Sequence, residues 1–261
     1  MKKTALSLIT LALASSAAMA QTAAPAAPAS TLSFNVGVVT DYRYRGISQS
    51  SRNPAVQIGA DYAHKSGFYI GAWHSTIQWI TDNSSYATPT TVKGAGELDI
   101  YGGYKGEIVK GLGFDVGMLR YEYLGNTLED TGGTKYGVYD NANTTEVYGA
   151  LTAGVFTAKY SRSLTNLFGN INSKGSQYLD LSATFDLGDG WTLTPHVGRQ
   201  LVKNSPTYHY TDYSLTVAKD LGKGLTASLM AVDTNAQVTP YTWGGKYVGK
   251  SGVVAGVKYS F

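Results

Sequence analysis

The chain contains no cysteine. Disulfides, thiol nucleophiles and thiolate metal sites are therefore excluded. Charge is scarce, at 15% of 261 residues, and it is balanced. Setting aside Lys2 and Lys3 at the N-terminus, the 21 Lys+Arg fall to 19, against 18 Asp+Glu. A nucleic-acid partner needs a clustered basic surface, and none is present. Long apolar runs are missing too. Beyond the first twenty residues, nothing approaches the roughly 18 consecutive apolar residues of a spanning helix. There are only four histidines, and neither G-x-S-x-G nor H-E-x-x-H occurs. His64, His74, His196 and His209 are expected as polar surface or interior residues rather than catalytic bases. The chain reads as no enzyme, with no cofactor and no metal site.

What is abundant is tyrosine and glycine, with 20 and 31 residues. The N-terminus reads as a secretory signal over residues 1–20: Lys2 and Lys3, an apolar or small stretch over 4–17, then Ala18-Met19-Ala20 as a cleavage site. QTAAPAAPAS, residues 21–30, has no periodicity and reads as a flexible leader. Export, richness in Tyr and Gly, and the lack of apolar helices suit an outer-membrane β-barrel over 31–261. They also suit a secreted β-sandwich, so the pattern along the chain has to decide.

About twelve segments of roughly ten residues alternate with period two, the length of a tilted membrane-crossing strand. In LSFNVGVVTDYRYR, residues 32–45, Leu32, Phe34, Val36, Val38, Tyr42 and Tyr44 share one parity. Asp41, Arg43 and Arg45 take the other. AVQIGADYAH, ELDIYGGYK, YLDLSATFDL, TDYSLTVAKDL and GVVAGVKYSF repeat the pattern. FDVGMLRYEY, residues 114–123, changes parity at Tyr121 and Tyr123, which predicts a bulge near Leu119. Segments 68–76 and 155–163 are ambiguous.

The connections alternate in length. Long gaps fall near 46–53, 77–94, 124–143, 164–175, 202–209 and 234–251. Short ones fall at 64–67, 107–111, 153–155, 187–190 and 221–224. Two short turns are near copies, FDLGDGWTLT and AKDLGKGLTAS. Glycine supplies the positive φ of tight hairpins. Short periplasmic turns and long external loops are the plan of outer-membrane barrels, and a Greek-key sandwich has no reason to alternate this way. The expected fold is an all-β, transmembrane, antiparallel up-and-down barrel of about twelve strands in the bacterial outer membrane. An even count puts both mature termini in the periplasm. Two aromatic girdles are expected. Tyr42, Tyr44, Tyr121, Tyr123, Tyr148, Tyr208, Tyr210 and Tyr213 fall at outer ends, and Phe68, Phe114, Phe156, Phe185, Trp191, Tyr259 and Phe261 near inner ends.

FNVGVVTDYRYRGISQS at 34–50, PAVQIGADYAHKSGFYIGAW at 54–73, GELDIYGGY at 96–104 and the final VKYSF carry a resemblance. Over nearly everything after residue 30, the sequence resembles the TorF-type porins, a family of bacterial outer-membrane proteins. The resemblance implies an outer-membrane barrel and channel, with no established substrate and no catalytic residues. A last strand ending on Phe261 also resembles the signal read by the barrel-assembly machinery. Membrane lipid and lipopolysaccharide are the expected surroundings.

Parity sends a set of ionisable groups into the lumen, since charge facing mid-membrane lipid costs several kcal/mol. The pore-lining candidates are Asp41, Arg43, Arg45, Asp61, Glu97, Asp99, Lys105, Asp115, Asp180, His196, Asp212 and Lys258. Asp41 with Arg43 or Arg45 reads equally as a salt-bridged plug or a selectivity element. Acidic groups outnumber basic ones seven to four, which favours weak cation preference. Twelve strands lie between the filled interiors of eight-stranded barrels and the wide bores of large porins. Passive diffusion of small hydrophilic solutes or ions follows as the expected function. A closed structural or adhesive barrel is the alternative, and a barrel hydrolase is a weaker one. The 124–143 segment reads as the best constriction or cap, against a mobile external loop.

Overall fold

The computed structural model describes residues 30–83, 93–132 and 139–261. The signal expected over 1–20 and the leader up to residue 29 lie outside them. Twelve wall strands follow in chain order. They are β1 (Thr31–Val39), β2 (Ala55–Ala63), β3 (Phe68–Thr76), β4 (Gly96–Val109), β5 (Leu112–Tyr123) and β6 (Thr144–Ala153). Then come β7 (Phe156–Ser163), β8 (Gln177–Ala183, resuming as Phe185–Gly188), β9 (Trp191–Leu201), β10 (Tyr210–Gly222), β11 (Leu225–Thr234) and β12 (Gly252–Ser260). Each pairs antiparallel with its neighbours in the chain, and β12 pairs back with β1. The result is a closed twelve-stranded up-and-down barrel. The seam runs to the last residue: Phe34 N donates to Phe261 O at 2.8 Å, and Phe261 N to Phe34 O at 3.0 Å. Closure leaves no wall-strand edge unpaired, as hydrocarbon requires. No described helix is long and apolar enough to cross a membrane.

The alternation read from the sequence sorts the two faces. Leu32, Phe34, Val36 and Val38 on β1 are exposed on the outside, as are Val56, Ile58, Ile100, Val116, Leu215 and Leu229 around the wall. A continuous apolar belt of this kind is foreign to a water-facing surface and suited to hydrocarbon. On the inside, tyrosine and glycine are used together. A Cβ at Gly198 would lie 1.9 Å from the Tyr178 hydroxyl, and one at Gly117 would lie 2.5 Å from that of Tyr148. Tyrosine rings thus lie against the inner wall over glycines of the neighbouring strand, which is one use the fold makes of both residue types.

The two near-copy turns are structural copies as well. Gly188 N donates to Asp186 Oδ1 at 2.9 Å, and Gly222 N to Asp220 Oδ1 at 2.8 Å. Each sits on a bulge just before a two-residue turn, Asp189-Gly190 or Lys223-Gly224, with both turn residues at positive φ. This mirror-type turn matches the twist of the strands it joins. A register shift at Glu107 and Val109 places a similar bulge before Lys110-Gly111.

Three expectations are corrected. First, β1 ends at Val39, not at Arg45, and residues 41–51 are all buried. Tyr42 and Tyr44 do not face lipid; they look into the bore together with Asp41, Arg43 and Arg45. Second, β4 and β5 pair without a break from Glu97↔Tyr123 to Glu107↔Gly113, so there is no bulge at Leu119. Leu119, Tyr121 and Tyr123 point inward and are buried, while Arg120 and Glu122 take the outer face as a 2.8 Å ion pair. Third, the girdle at the long-loop end is therefore thin. Tyr213 is exposed there, but Tyr121, Tyr123 and Tyr210 are inside. Charge is tolerated at the rim because the cost of facing lipid falls to about 0–1 kcal/mol near the interface. At the short-turn end, Phe68, Phe156, Phe185, Trp191, Tyr259 and Phe261 are exposed as expected.

Candidate functional site

The connection from β1 to β2 does not arch away from the barrel. It turns into it. Arg43 pairs with Ser48 and Tyr44 with Ile47 in a short antiparallel ladder. Arg45 and Gly46, both at positive φ, form its two-residue turn. Gly46 is needed there for a second reason: a Cβ would sit 2.5 Å from Thr234 Cγ2 and 2.7 Å from Asp212 Cβ. The turn is pressed against the wall at β10 and β11.

Ionic and hydroxyl groups fasten this segment. Arg43 Nε is 2.6 Å from Asp41 Oδ2, and Asp41 Oδ1 accepts from Ser48 Oγ at 2.5 Å. Arg43 Nη1 also donates to Gly46 O and Lys250 O, each at 2.9 Å. Tyr42 donates its hydroxyl to Glu97 Oε1 at 2.7 Å, and the Tyr44 hydroxyl meets that of Tyr121 at 2.6 Å. Arg45 reaches the wall across the bore from β1. Its Nη2 is 2.7 Å from Glu146 Oε2 on β6, and its Nη1 donates to Gln200 Oε1 on β9 at 2.8 Å. Its guanidinium lies 4.1 Å from the Tyr178 ring centroid. Both members of the Arg45–Glu146 pair are 4% exposed.

The remaining candidates sit around the inner wall. Asp61 accepts from the Tyr101 hydroxyl at 2.5 Å, and Asp115 from that of Tyr69 at 2.6 Å. The Tyr69 and Tyr148 hydroxyls also bond each other. Lys105 lies over the Tyr69 ring at 5.4 Å, while Lys258 is half-buried. Glu97 and Asp99 are both buried, and Asp99 Oδ1 has no partner among the described residues. Asp180 and Asp212 converge on His196: Nε2 is 3.1 Å from Asp180 Oδ2, and Nδ1 is 3.6 Å from Asp212 Oδ1. Asp212 also accepts from Tyr178 at 3.0 Å. None of the twelve candidates faces the apolar belt.

Two ionisable groups of the bore escaped the sequence reading. Glu146 is the cross-bore partner of Arg45, and Lys159 lies 4.0 Å over the Tyr148 ring. The signal existed. In TTEVYGALTA, Glu146, Tyr148 and Ala150 oppose Val147 and Leu151, and Lys159 shares parity with Ser161 and Ser163. Of the 124–143 connection, Tyr139 lines a cavity at the long-loop end. The connection's described parts bury Leu128 and Ala142 near the mouth, and residues 133–138 lie outside the described set.

Two solved structures share the architecture. One described as "KdgM porin" matches with a TM-score of 0.53 at 8% identity, covering 88% of this chain and 99% of that one. Another, "KdgM porin in complex with disordered oligogalacturonate", matches with 0.52 at 9% identity, covering 89% and 99%. At such identity the likeness is one of fold. No curated protein matches the sequence. A family model described as a bacterial protein of unknown function (Gcw_chp) matches residues 22–261.

Proposed function

We propose, from the premise that the chain belongs to that family of bacterial proteins of unknown function, that it is an outer-membrane channel for small hydrophilic solutes or ions, narrowed by its own residues 40–54. The observation that carries the reading is an ionic interior behind a wall whose outside is apolar. A barrel that only filled space would line its bore with side chains that close on one another. This bore instead keeps Gln57 Nε2 and Asp99 Oδ1 without partners among the described residues, where mobile water is the natural one. The resemblance to the TorF-type porins supports the same conclusion. In this reading the long connections face outward, both ends of the mature chain face the periplasm, and rim charges such as Arg120 and Arg162 meet lipopolysaccharide. The exposed Phe261 ring on the closing seam suits recognition of the last strand by the assembly machinery.

Arg43 and Arg45 are neutralised by Asp41 and Glu146. Asp61, Glu97, Asp99, Asp115, Asp180 and Asp212 then face Lys105, Lys159 and Lys258, so weak cation preference remains the expectation. The hydrolase alternative gains no support from His196, whose two ring nitrogens both lie against carboxylates. The closed-barrel alternative draws on the cross-bore grip of Arg45. Planar-bilayer recording of refolded protein separates these readings. Discrete steps with a cation-selective reversal potential across a salt gradient are expected. Silence at every voltage would give the closed barrel, and clear anion selectivity would end the cation assignment.

A further inference from the structure

Between residues 40–54 and the long connections lies a cavity of about 640 Å³, counting the part open to solvent. Tyr44, Ile47 and Gln49 line it from the inward segment, and each of the other five long connections contributes to its walls. Nine of its sixteen lining residues are aromatic, four are amides and none is charged. Burial holds the Tyr139 and Tyr241 hydroxyls above the ordinary tyrosine range, so these also stay neutral.

The rings are fixed by one another. Trp79 meets Tyr123 edge to face at 5.2 Å and Trp243 at 5.6 Å, and Tyr241 packs on Tyr210 at 5.2 Å and Trp243 at 6.2 Å. Their positions are set before a ligand arrives. The amides are fixed as well. Gln49 donates to Ile47 O at 3.0 Å, and Asn83 and Asn170 donate to Trp79 O and Leu167 O, each at 2.9 Å. The side-chain oxygens of these three remain acceptors with no partner among the described residues, whereas that of Gln200 accepts from Arg45. One lining residue also carries a spare donor: Trp79 is 4% exposed, and its Nε1 has no partner among the described residues. A buried N–H is seldom left unpaired, so this one marks a place for an acceptor.

We propose that this vestibule binds a neutral saccharide. A sugar ring offers C–H faces to aromatic rings and a rim of hydroxyls that both donate and accept. That pattern fits amide oxygens and an indole N–H set among rings. A purely apolar ligand would leave those groups unpaired, and an anion would find no cation in the lining. Binding here does not require transport.

The test uses the refolded full-length mature chain in detergent, titrated with glucose, maltose, cellobiose and sucrose, and with digalacturonate as the anionic comparison. Calorimetry and tryptophan fluorescence are the readouts. At least one neutral sugar saturates the site. Trp243→Ala weakens that sugar about tenfold, Asn170→Ala weakens it too, and Trp191→Phe, on the outside of the wall, leaves it unchanged. Far-UV dichroism confirms that each variant is a barrel. The assignment is overturned if none of the four sugars binds, if both vestibule variants bind as the parent does, or if digalacturonate binds more tightly than every neutral sugar. Because binding is read without conductance, this failure is separate from failure of the channel reading.

Discussion

Deleting residues 41–51 and bridging the gap with a short Gly-Ser linker raises single-channel conductance several-fold and leaves the barrel folded. The wall does not need the segment. β1 and β2 pair directly from Thr31↔Ala63 to Val39↔Ala55, and the linker spans only their ends. The bore does change. The deletion removes the buried side chains Tyr42, Arg43, Tyr44 and Arg45 from its cross-section, and the far-wall groups Glu97, Glu146 and Gln200 become wet. Glu146 without Arg45 adds a free carboxylate, so cation selectivity rises with conductance. A deletion variant with the parental dichroism spectrum and the parental conductance would mean that the ion path does not pass this segment.

Arg45→Met has the second large effect. It keeps much of the side-chain bulk against Tyr178 and removes the charge. Glu146 is then buried with only the 3.3 Å contact from the Tyr121 hydroxyl among its named partners. Stripping one partner from a buried ion pair costs about 3–5 kcal/mol. The wall is held by continuous ladders, so the loss falls on the docking of the segment. Arg45→Met is therefore expected to flicker between the parental conductance and that of the deletion variant. Adding Glu146→Gln removes the orphaned charge and restores most of the parental behaviour. The readout is the open probability of the two variants against the parent. Equal values in Arg45→Met and parent would show that the bridge does not hold the segment.

The wall of this barrel was legible in the sequence because the wall obeys a single rule. Each strand contacts hydrocarbon on one side, so apolar residues must recur every second position, and β1, β2, β4, β8, β10 and β12 all do so. The DLGDG and DLGKG copies marked the short-turn end because a mirror-type turn places a strict demand on glycine. The inward segment was hidden by the same rule. D-Y-R-Y-R keeps alternating after Val39 because Arg43–Tyr44 is itself extended, within a ladder that crosses the bore. Period two reports an extended backbone; it does not report what lies on either side. Here both sides are protein, and tyrosine and arginine are buried together. A clue lay in Arg45-Gly46, a two-residue hairpin turn between Tyr44 and Ile47 where a wall strand would have run on. The β5 error has a similar origin. Tyr121 and Tyr123 are expected at the interface, which needs a bulge near Leu119 to turn them outward. At the rim, however, charge meets headgroups at little cost, while rings are what fill the space beside the segment. Glu146 and Lys159 were readable from parity alone; their strands carry weaker apolar faces, with Gly149 and Ala158 at outward positions.

The absence of cysteine allows the most direct test. A Cβ at position 46 lies 2.5 Å from Thr234 Cγ2, which puts the two Cβ atoms within about 4 Å, the range a disulfide spans. The variant carrying Gly46→Cys and Thr234→Cys, with Asp212→Gly to clear the Cβ contact at 2.7 Å, can form only that one bridge. Its single-channel conductance, recorded oxidised and then reduced in the same bilayer, should show a narrow, voltage-insensitive state that gives way to larger openings when the bridge is cut. Identical conductance in the two states, with the bridge verified by mass, would contradict residues 40–54 as the element that governs the bore.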